Sequence, residues 1–230
     1  METFHSIRLP STRLSIGQDC AVVAVDDRID HKECGALEDG LLGNVGVEDR
    51  VECELVSEAR AWRKTDKGAS VSNSGDSWHS PDGLMSRTEP GFATISKLIP
   101  RLAAQYATEI NPAFKIKDYG FEASAWVNIN RQGGANAVHH HGRFHVSGVY
   151  YIKQPKVTIG KSGMIEFVNS RFDHHIFEQL GANAFAPNMR VRPPTGSMVI
   201  FPSSLLHFVH PNETSEERIT LAWNLRFIRR

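Results

Sequence analysis

The sequence predicts a mainly β fold with supporting N-terminal helices, an α+β arrangement, from three observations. The chain has 230 residues, enough for one domain with a sizeable core. Its 40 % hydrophobic and 23 % charged residues are ordinary values for a globular protein. A helical pattern is followed, after Pro112, by many short apolar segments separated by Gly, Pro and Asn. Such a succession is typical of an antiparallel sandwich or barrel.

The composition also excludes several functional classes. The 26 basic residues balance the 26 acidic ones, so no net charge draws the chain to nucleic acid or to an anionic membrane. No apolar run approaches the roughly 20 residues that span a bilayer, and METFHSIRLPSTRLS lacks the apolar segment of a secretory signal. Cys20, Cys34 and Cys53 form no CxxC pair, which favours free thiols over disulfides or a zinc site. We therefore expect a cytoplasmic protein with no nucleic-acid or membrane partner.

The chain is predicted to divide into two parts within one compact molecule. Residues 1–70 are expected to form an N-terminal extension that packs on a core domain of residues 71–230. In the extension, AVVAV at 21–25 indicates a buried strand, and a short helix is predicted from its cap at Asp30 to Gly43.

One helix with a clear apolar stripe is predicted before the main run of strands. The Ser-, Gly- and Asp-rich residues 67–82 indicate a loop, and Thr88-Glu89-Pro90 then opens the helix. Its apolar residues fall at helical spacing, at Ile95, Leu98, Ile99, Leu102 and Tyr106. Pro100 predicts either a kink or two abutting helices.

The second half of the chain is predicted to be strands joined by turns. The candidate strands are 115–130, 145–153, 162–168, 195–202, 206–210 and 218–227. The intervening stretch 169–194 has weak periodicity, and a loop of that length is often a binding loop or a lid.

Eleven histidines are unevenly placed, and three of them predict a metal site. On a strand, His139 and His141 point to one face and His140 to the other. The third candidate ligand is His207, which follows an apolar strand and a Pro-Ser-Ser turn; His145, on the same strand face as His141, is the alternative to His141. A His-x-His pair with a distant His is typical of a non-haem iron site on a double-stranded β-helix (jelly roll, cupin-like), where the third ligand is usually a carboxylate.

Arg218 and Thr220 share a face of the last predicted strand and form the second candidate site. A guanidinium pairs bidentately with a carboxylate, and a nearby hydroxyl can add a further bond. A buried Arg218 behind a metal site therefore suits a dicarboxylate co-substrate. The alternative is a structural salt bridge from Arg218 to Glu216 or Glu217.

These residues resemble the Fe(II)/2-oxoglutarate-dependent oxygenase superfamily, and in particular a small group of 2OG-Fe(II) oxygenases of bacteria and phages that is related to prolyl hydroxylases. The similar segments lie in the family's order and cover roughly residues 70–230. They are SNSGDSWHS at 72–80, WVNINRQGG at 126–134, HHHGRFHVSGVYYIK at 139–153, GSMVIFPSSLLHFVHPN at 196–212 and ERITLAWNLRF at 217–227.

The resemblance implies a double-stranded β-helix oxygenase domain over residues 71–230 that uses Fe(II), 2-oxoglutarate and O2. It would hydroxylate or otherwise oxidise a C–H bond and release succinate and CO2. The implied roles are His139, His141 and His207 for iron; Arg218, Thr220, Tyr151 and Asn128 for 2-oxoglutarate; and Asn130, Arg171 and His175 for substrate or the lid.

Two other functions remain open at this point. A cupin-like dioxygenase with three-histidine iron would use O2 without 2-oxoglutarate, and a metal-binding β-barrel sensor would have no catalytic activity. Of the three functions, only the 2-oxoglutarate-dependent oxygenase requires the carboxylate clamp of Arg218, Thr220 and Tyr151. The expected substrate is a small molecule or a peptide side chain, and a homodimer is compatible with the sequence.

Overall fold

The architecture is described from a computed structural model. It describes residues 11–16, 20–25, 47–69, 73–157, 160–168 and 188–230. The helices are α1 (Val47–Thr65) and α2 (Pro90–Ile110), with short 3-10 helices at Leu84–Ser86 and Ile116–Asp118. The strands β1 to β12 are, in chain order, Ser11–Ile16, Cys20–Val25, Asn73–Ser74, Ser77–His79, Tyr119–Asn130, Ala135–His139, Val146–Lys153, Ile165–Phe167, Met189–Val191, Met198–Pro202, His207–Val209 and Arg218–Arg229.

The described strands form two antiparallel sheets. The larger sheet has seven strands in the order β1-β2-β10-β7-β12-β5-β4, and the smaller has five in the order β3-β6-β11-β8-β9. The two long strands β5 and β12 pair along their whole length at the centre of the larger sheet. Strand β12 pairs with β5 on one side and with β7 on the other. This pairing brings residues that are far apart in sequence side by side.

Side-chain alternation gives the larger sheet two different faces. On β12, the residues Ile219, Leu221, Trp223 and Leu225 join α1 and α2 in the main hydrophobic core. The intervening β12 residues point to the other face, towards a cavity and towards a second apolar cluster that includes Phe167 of the smaller sheet. The period of two along β12 therefore separates the residues that stabilise the fold from those available for chemistry.

The predicted mainly β class is confirmed, and so are the strands at 21–25 and those after Pro112, with boundaries shifted by a few residues. We predicted a kink at Pro100 or two abutting helices, and α2 is one continuous helix through Pro100, which excludes the second alternative. The apolar residues on both sides of Pro100 are buried against the same core. Burial of each such side chain is worth about 1.5–3 kcal/mol, which together exceeds the roughly 3 kcal/mol cost of an internal proline.

Four regions differ from the prediction or lie outside the described residues. The predicted loop at 67–82 contains β3 and β4, which are only two and three residues long and exist through pairing with β6 and β5. Helix α1 was not predicted. The predicted helix between Asp30 and Gly43 lies outside the described residues, as does the loop at 169–194 apart from its last residues, which contain β9.

The close packing of Gly148 on β7 against Trp223 on β12 leads to a stability prediction. A Cβ atom at Gly148 would lie 2.3 Å from Cζ2 of Trp223, and the fully buried indole has no room to move away. We expect Gly148→Ala to lower the free energy of unfolding by about 1–3 kcal/mol, because overpacking forces neighbouring groups to shift.

Chemical denaturation measures this effect, and Gly120→Ala on β5 is the matched control. The nearest atom to a Cβ at Gly120 is the carbonyl oxygen of Ile228, 3.9 Å away. This control should change the free energy of unfolding by less than about 0.5 kcal/mol. Equal denaturation midpoints for the two variants would contradict the packing assigned to Trp223.

Candidate metal and co-substrate site

Three histidines from two distant segments of the chain meet at one end of the smaller sheet. His139 ends β6 and His207 begins β11, and the two residues are direct partners in the antiparallel register. His141 lies just beyond β6, where its backbone N–H donates to the carbonyl of Ser203 at 2.7 Å. One ligand atom from each imidazole lies within 4.8 Å of the others. This cluster contains no carboxylate among the described residues.

The three imidazoles are in the protonation state that a metal ligand needs. Burial, together with a smaller effect of the neighbouring imidazoles, lowers the pKa of His207 to about 3 and that of His141 to about 4. Burial is also the main cause of the lowered pKa of His139. The three side chains are therefore neutral at neutral pH, and each keeps a nitrogen lone pair.

The other histidines of the same segment lie outside the cluster. His140 is exposed, and its Nδ1 accepts the Gly142 N–H at 3.1 Å. It lines the same cavity as the cluster, and because β6 ends at His139 the predicted strand alternation does not extend to it. His145, the alternative third ligand, is also exposed, and its Nδ1 accepts the Phe227 N–H at 3.0 Å. The geometry therefore groups His141, and not His145, with the other two.

Arg218 is a large buried cation beside the histidine cluster, with an exposed fraction of 1 %. Its Nε donates to the Gly163 carbonyl at 3.1 Å, and its Nη1 donates to Oδ1 of Asn130 at 3.3 Å and to Oγ1 of Thr220 at 3.5 Å. All of these partners are neutral. Burial lowers the pKa of the guanidinium, but its ordinary value is so high that it stays charged at neutral pH.

The structural salt bridge that we considered for Arg218 is not formed with Glu217. That carboxylate instead accepts from Arg60 at 2.9 Å and from Arg131 at 3.2 Å. Among the residues with described side chains, no acidic group pairs with Arg218. Leaving a buried charge without a counter-ion is costly unless a ligand supplies it.

Two cross-strand pairs organise this part of the site. Asn130 faces Arg218, and Asn128 faces Thr220, in the β5–β12 register. Asn128 lines the cavity as predicted for a co-substrate contact, whereas Asn130 is fully buried and contacts Arg218. Asn130 thus lies at the back of the site and not at a rim or lid.

Tyr151 lies behind Arg218. The guanidinium carbon is 5.3 Å from the centre of the Tyr151 ring, and the buried hydroxyl has no hydrogen-bond partner of normal geometry among the described residues. Burial raises the pKa of this phenol, so it remains a potential O–H donor. Tyr151 does not, however, belong to the lining of the cavity.

The histidine cluster and Arg218 open into the same cavity. Its volume is about 530 Å³, a size that suits small-molecule ligands. Its lining includes the three histidines together with Arg218, Thr220 and Asn128. A ligand in this cavity can reach both the metal-type donors and the buried cation. Arg171 and His175, predicted for substrate or the lid, lie outside the described residues.

Several polar residues of the cavity were not predicted from the sequence. Asn73 and Asn136 bond to each other at 2.5 Å, and Asn73 also donates to Asn128 at 3.3 Å. His79 stacks on Trp126 at a ring-centre distance of 5.2 Å. Asn224 bonds to His141 at 3.3 Å. Asn224 could have been found, because it continues the i, i+2 series that begins at Arg218.

The segment of the chain that contains this site matches a known protein family. Residues 124–224 match the family described as "Putative 2OG-Fe(II) oxygenase". The matched segment contains all three clustered histidines and Arg218, and it confirms the resemblance inferred from the motifs. It is shorter than the predicted coverage of roughly 70–230. A search of curated proteins finds no match.

Comparison with solved structures confirms the predicted jelly-roll fold. A prolyl-4-hydroxylase of Pseudomonas putida aligns at 17 % identity with a TM-score of 0.52, over 79 % of this chain and 87 % of that one. A prolyl hydroxylase of Trichoplax adhaerens, solved with a hypoxia-inducible-factor peptide, aligns at 12 % identity with a TM-score of 0.54, over 77 % and 78 % of the chains. The epimerase SnoN of nogalamycin biosynthesis aligns at 14 % identity with a TM-score of 0.53, over 76 % and 72 %.

The donor set fits Fe(II). Neutral imidazoles are good ligands for this ion, and non-haem iron sites leave positions open for co-substrate and O2. Two of the three imidazoles have Nδ1 within 2.8 Å of a backbone carbonyl, which fixes the ring orientation. A site with these three ligands carries no negative charge of its own, so an anionic co-substrate would supply the first compensating charge.

Proposed function

We propose that the chain, whose residues 124–224 match the 2OG-Fe(II) oxygenase family, is an oxygenase that oxidises a C–H bond of its substrate at the cavity described above. The family uses Fe(II), 2-oxoglutarate and O2. In the proposed site, His139, His141 and His207 hold the iron. Arg218 and Thr220 bind the distal carboxylate of 2-oxoglutarate.

The buried charge of Arg218 is the observation that carries this proposal. It faces the same cavity as the histidines and has only neutral partners among the described residues. A dicarboxylate that reaches from the histidine cluster to Arg218 would neutralise this charge through bidentate hydrogen bonds. A metal site alone, without such a ligand, gives no reason for a buried guanidinium at this place.

The protein's own residues have the tasks of holding, orienting and shielding. With Fe(II) bound, the chemistry supplied is the oxidative decarboxylation of 2-oxoglutarate to succinate and CO2, coupled to oxidation of the substrate C–H bond. Three imidazole ligands would leave other coordination positions of a bound iron free for the co-substrates. Asn130 orients the guanidinium through its 3.3 Å bond, and Asn128 lines the wall beside Thr220. The apolar side chains of Val149, Ile165 and Phe201 limit the access of water.

A substrate that is a small molecule or a peptide side chain fits the remaining cavity. The lining of the cavity also includes Trp126, Phe144, Ser124, His79 and Asp82, which offer aromatic surface together with polar groups. The chain is similar in fold both to an enzyme of nogalamycin biosynthesis and to a prolyl hydroxylase solved with a bound peptide. None of the described helices is long and apolar enough to cross a membrane.

The three-histidine donor set favours one alternative, a cupin-like iron dioxygenase that does not use 2-oxoglutarate. The two functions differ in their requirement for Arg218. An oxygenase that uses only O2 and an organic substrate would not depend on a carboxylate clamp, so its metal chemistry should be unaffected by 2-oxoglutarate.

Anaerobic addition of Fe(II) and then 2-oxoglutarate tests the proposal. We expect a visible charge-transfer band from chelated iron, and succinate after admission of O2. Succinate should not form when Fe(II) is omitted. Absence of both the band and succinate in the wild-type protein would overturn the proposed function, and iron binding without either would favour the cupin-like alternative.

A further inference from the structure

The hydrogen bonds at Nδ1 decide which nitrogen of each clustered histidine can bind a metal. Nδ1 of His139 lies 2.6 Å from the Ala137 carbonyl, and Nδ1 of His207 lies 2.8 Å from the Leu205 carbonyl. A carbonyl oxygen can only accept a hydrogen bond, so Nδ1 carries the proton in both rings. The lone pair is therefore on Nε2, and the backbone itself fixes this tautomer.

His141 lacks such a fixed partner. Its Nδ1 lies 3.3 Å from the side-chain amide of Asn224, with the amide nitrogen Nδ2 towards the ring. An amide can donate through Nδ2 or accept through Oδ1. If Nδ2 donates to Nδ1, the ring proton is on Nε2 and no lone pair is available there. If Oδ1 accepts from Nδ1–H, then Nε2 is free, as in the other two histidines.

A pair of buried serines allows the Asn224 amide to take either orientation. Oδ1 of Asn224 lies 2.7 Å from Oγ of Ser147, which lies 2.8 Å from Oγ of Ser203. The exposed fractions are 4 % for Asn224, 1 % for Ser147 and 0 % for Ser203, so water has little access to these bonds. A hydroxyl can both donate and accept. Ser147 can donate to Asn224 Oδ1, or accept from Asn224 Nδ2 while it donates to Ser203.

We infer that Asn224 is a positioning residue that selects the metal-binding tautomer of His141. In the orientation required for metal binding, Oδ1 accepts from Nδ1–H of His141, and Nδ2 donates to Ser147. The inference rests on the proposed function, because it assumes that His141 is an iron ligand through Nε2.

A histidine at position 141, in place of a carboxylate, needs a neighbouring group that selects its tautomer. A carboxylate ligand offers lone pairs on both oxygens, so its orientation requires no choice of tautomer. A neutral imidazole has only one free lone pair, and a wrongly placed proton prevents coordination. Outer-shell partners of metal-binding histidines commonly change metal affinity by about 10–100-fold.

Co(II) affinity, followed by its visible absorption, tests this role in the whole chain. Asn224→Asp supplies oxygen atoms that can only accept, and Asn224→Leu has a similar shape but no polar atoms. We expect the Leu variant to bind Co(II) about 10–100-fold more weakly, and the Asp variant to bind as tightly as wild type or more tightly. If the amide had only a structural role, Co(II) binding would be weakened equally in both variants or in neither.

Two further measurements keep the test decisive if the Leu variant fails to fold. Ser147→Ala removes the hydroxyl beside Asn224 without touching the histidines, and we expect a smaller loss of affinity. Nitrogen-15 NMR of the Zn(II)-loaded wild-type protein should show the proton of His141 on Nδ1. A proton on Nε2, or an Asp variant as weak as the Leu variant, would overturn the inference. The proposed function is tested separately, by measuring whether the wild-type protein binds Co(II) and whether the Co(II)-loaded protein then binds 2-oxoglutarate.

Discussion

His207→Ala is expected to abolish tight Fe(II) binding and, with it, succinate formation. His207 is the most buried of the three clustered histidines, with an exposed fraction of 3 %, and its neutral ring faces the other two. Removal of a direct ligand should cost more than the roughly 100-fold in metal affinity that loss of an outer-shell partner causes. Anaerobic equilibrium dialysis measures the affinity, and circular dichroism shows whether the variant is folded.

His145→Ala is the matched control for this prediction. His145 lies in the same region of sequence as His141 but is exposed and outside the cluster. We expect the control to keep wild-type Fe(II) affinity. Weakened iron binding in His145→Ala together with normal binding in His141→Ala would reverse the assignment of the third ligand.

Arg218→Met is expected to weaken 2-oxoglutarate binding to the Fe(II)-loaded protein strongly while leaving iron affinity unchanged. Loss of one partner from a buried charge pair costs about 2–5 kcal/mol, which corresponds to roughly a 30-fold to more than 10³-fold rise in Kd. The free protein should not become less stable, because an apolar side chain of similar length replaces a buried charge with only neutral partners. Calorimetric titration and thermal unfolding measure the two effects.

Two further variants isolate the cause. Arg226→Ala removes an arginine from the same strand, but this one is exposed and pairs with Glu122, so it should leave 2-oxoglutarate affinity unchanged. Arg218→Lys keeps the charge and loses the bidentate geometry, so its Kd should lie between those of wild type and Arg218→Met. An unchanged Kd in Arg218→Met would show that the guanidinium does not bind the co-substrate.

The central strands could be predicted because their own residues define them. In β12, the apolar residues Ile219, Leu221, Trp223 and Leu225 alternate with Arg218 and Thr220, and this period indicates a two-sided strand without knowledge of its neighbours. The two- and three-residue strands β3 and β4 carry no such period. They form only where β6 and β5 present free backbone groups, so their existence depends on the tertiary structure.

The sequence of helix α1 contains a weak helical pattern of apolar residues. Its buried residues Leu55, Ala59 and Trp62 are four and three positions apart, which is helical spacing. They lie among many charged residues, and the mixed composition of residues 1–70 obscured them. Strand β1 pairs with β2, and β2 pairs with β10, which joins β1 and β2 to the larger sheet.

The candidate site could be predicted only for residues with distinctive side chains. Histidine at i and i+2, followed by a distant histidine and arginine, is a rare pattern, and the structure brings these residues to one cavity. The role of Asn224 depends on His141, Ser147 and Ser203, which come from three other places in the chain. Asparagine has many uses in proteins, so its contribution became visible only when its partners were known.

Crystals soaked anaerobically with Fe(II) and 2-oxoglutarate, and measured at the iron absorption edge, test the central claim most directly. We predict one anomalous peak bound by Nε2 of His139, His141 and His207, at about 2.0–2.2 Å, as is usual for imidazole on a first-row metal. The distal carboxylate of 2-oxoglutarate should lie on the Arg218 guanidinium. Iron bound elsewhere, or 2-oxoglutarate on the iron without contact to Arg218, would contradict the proposed site.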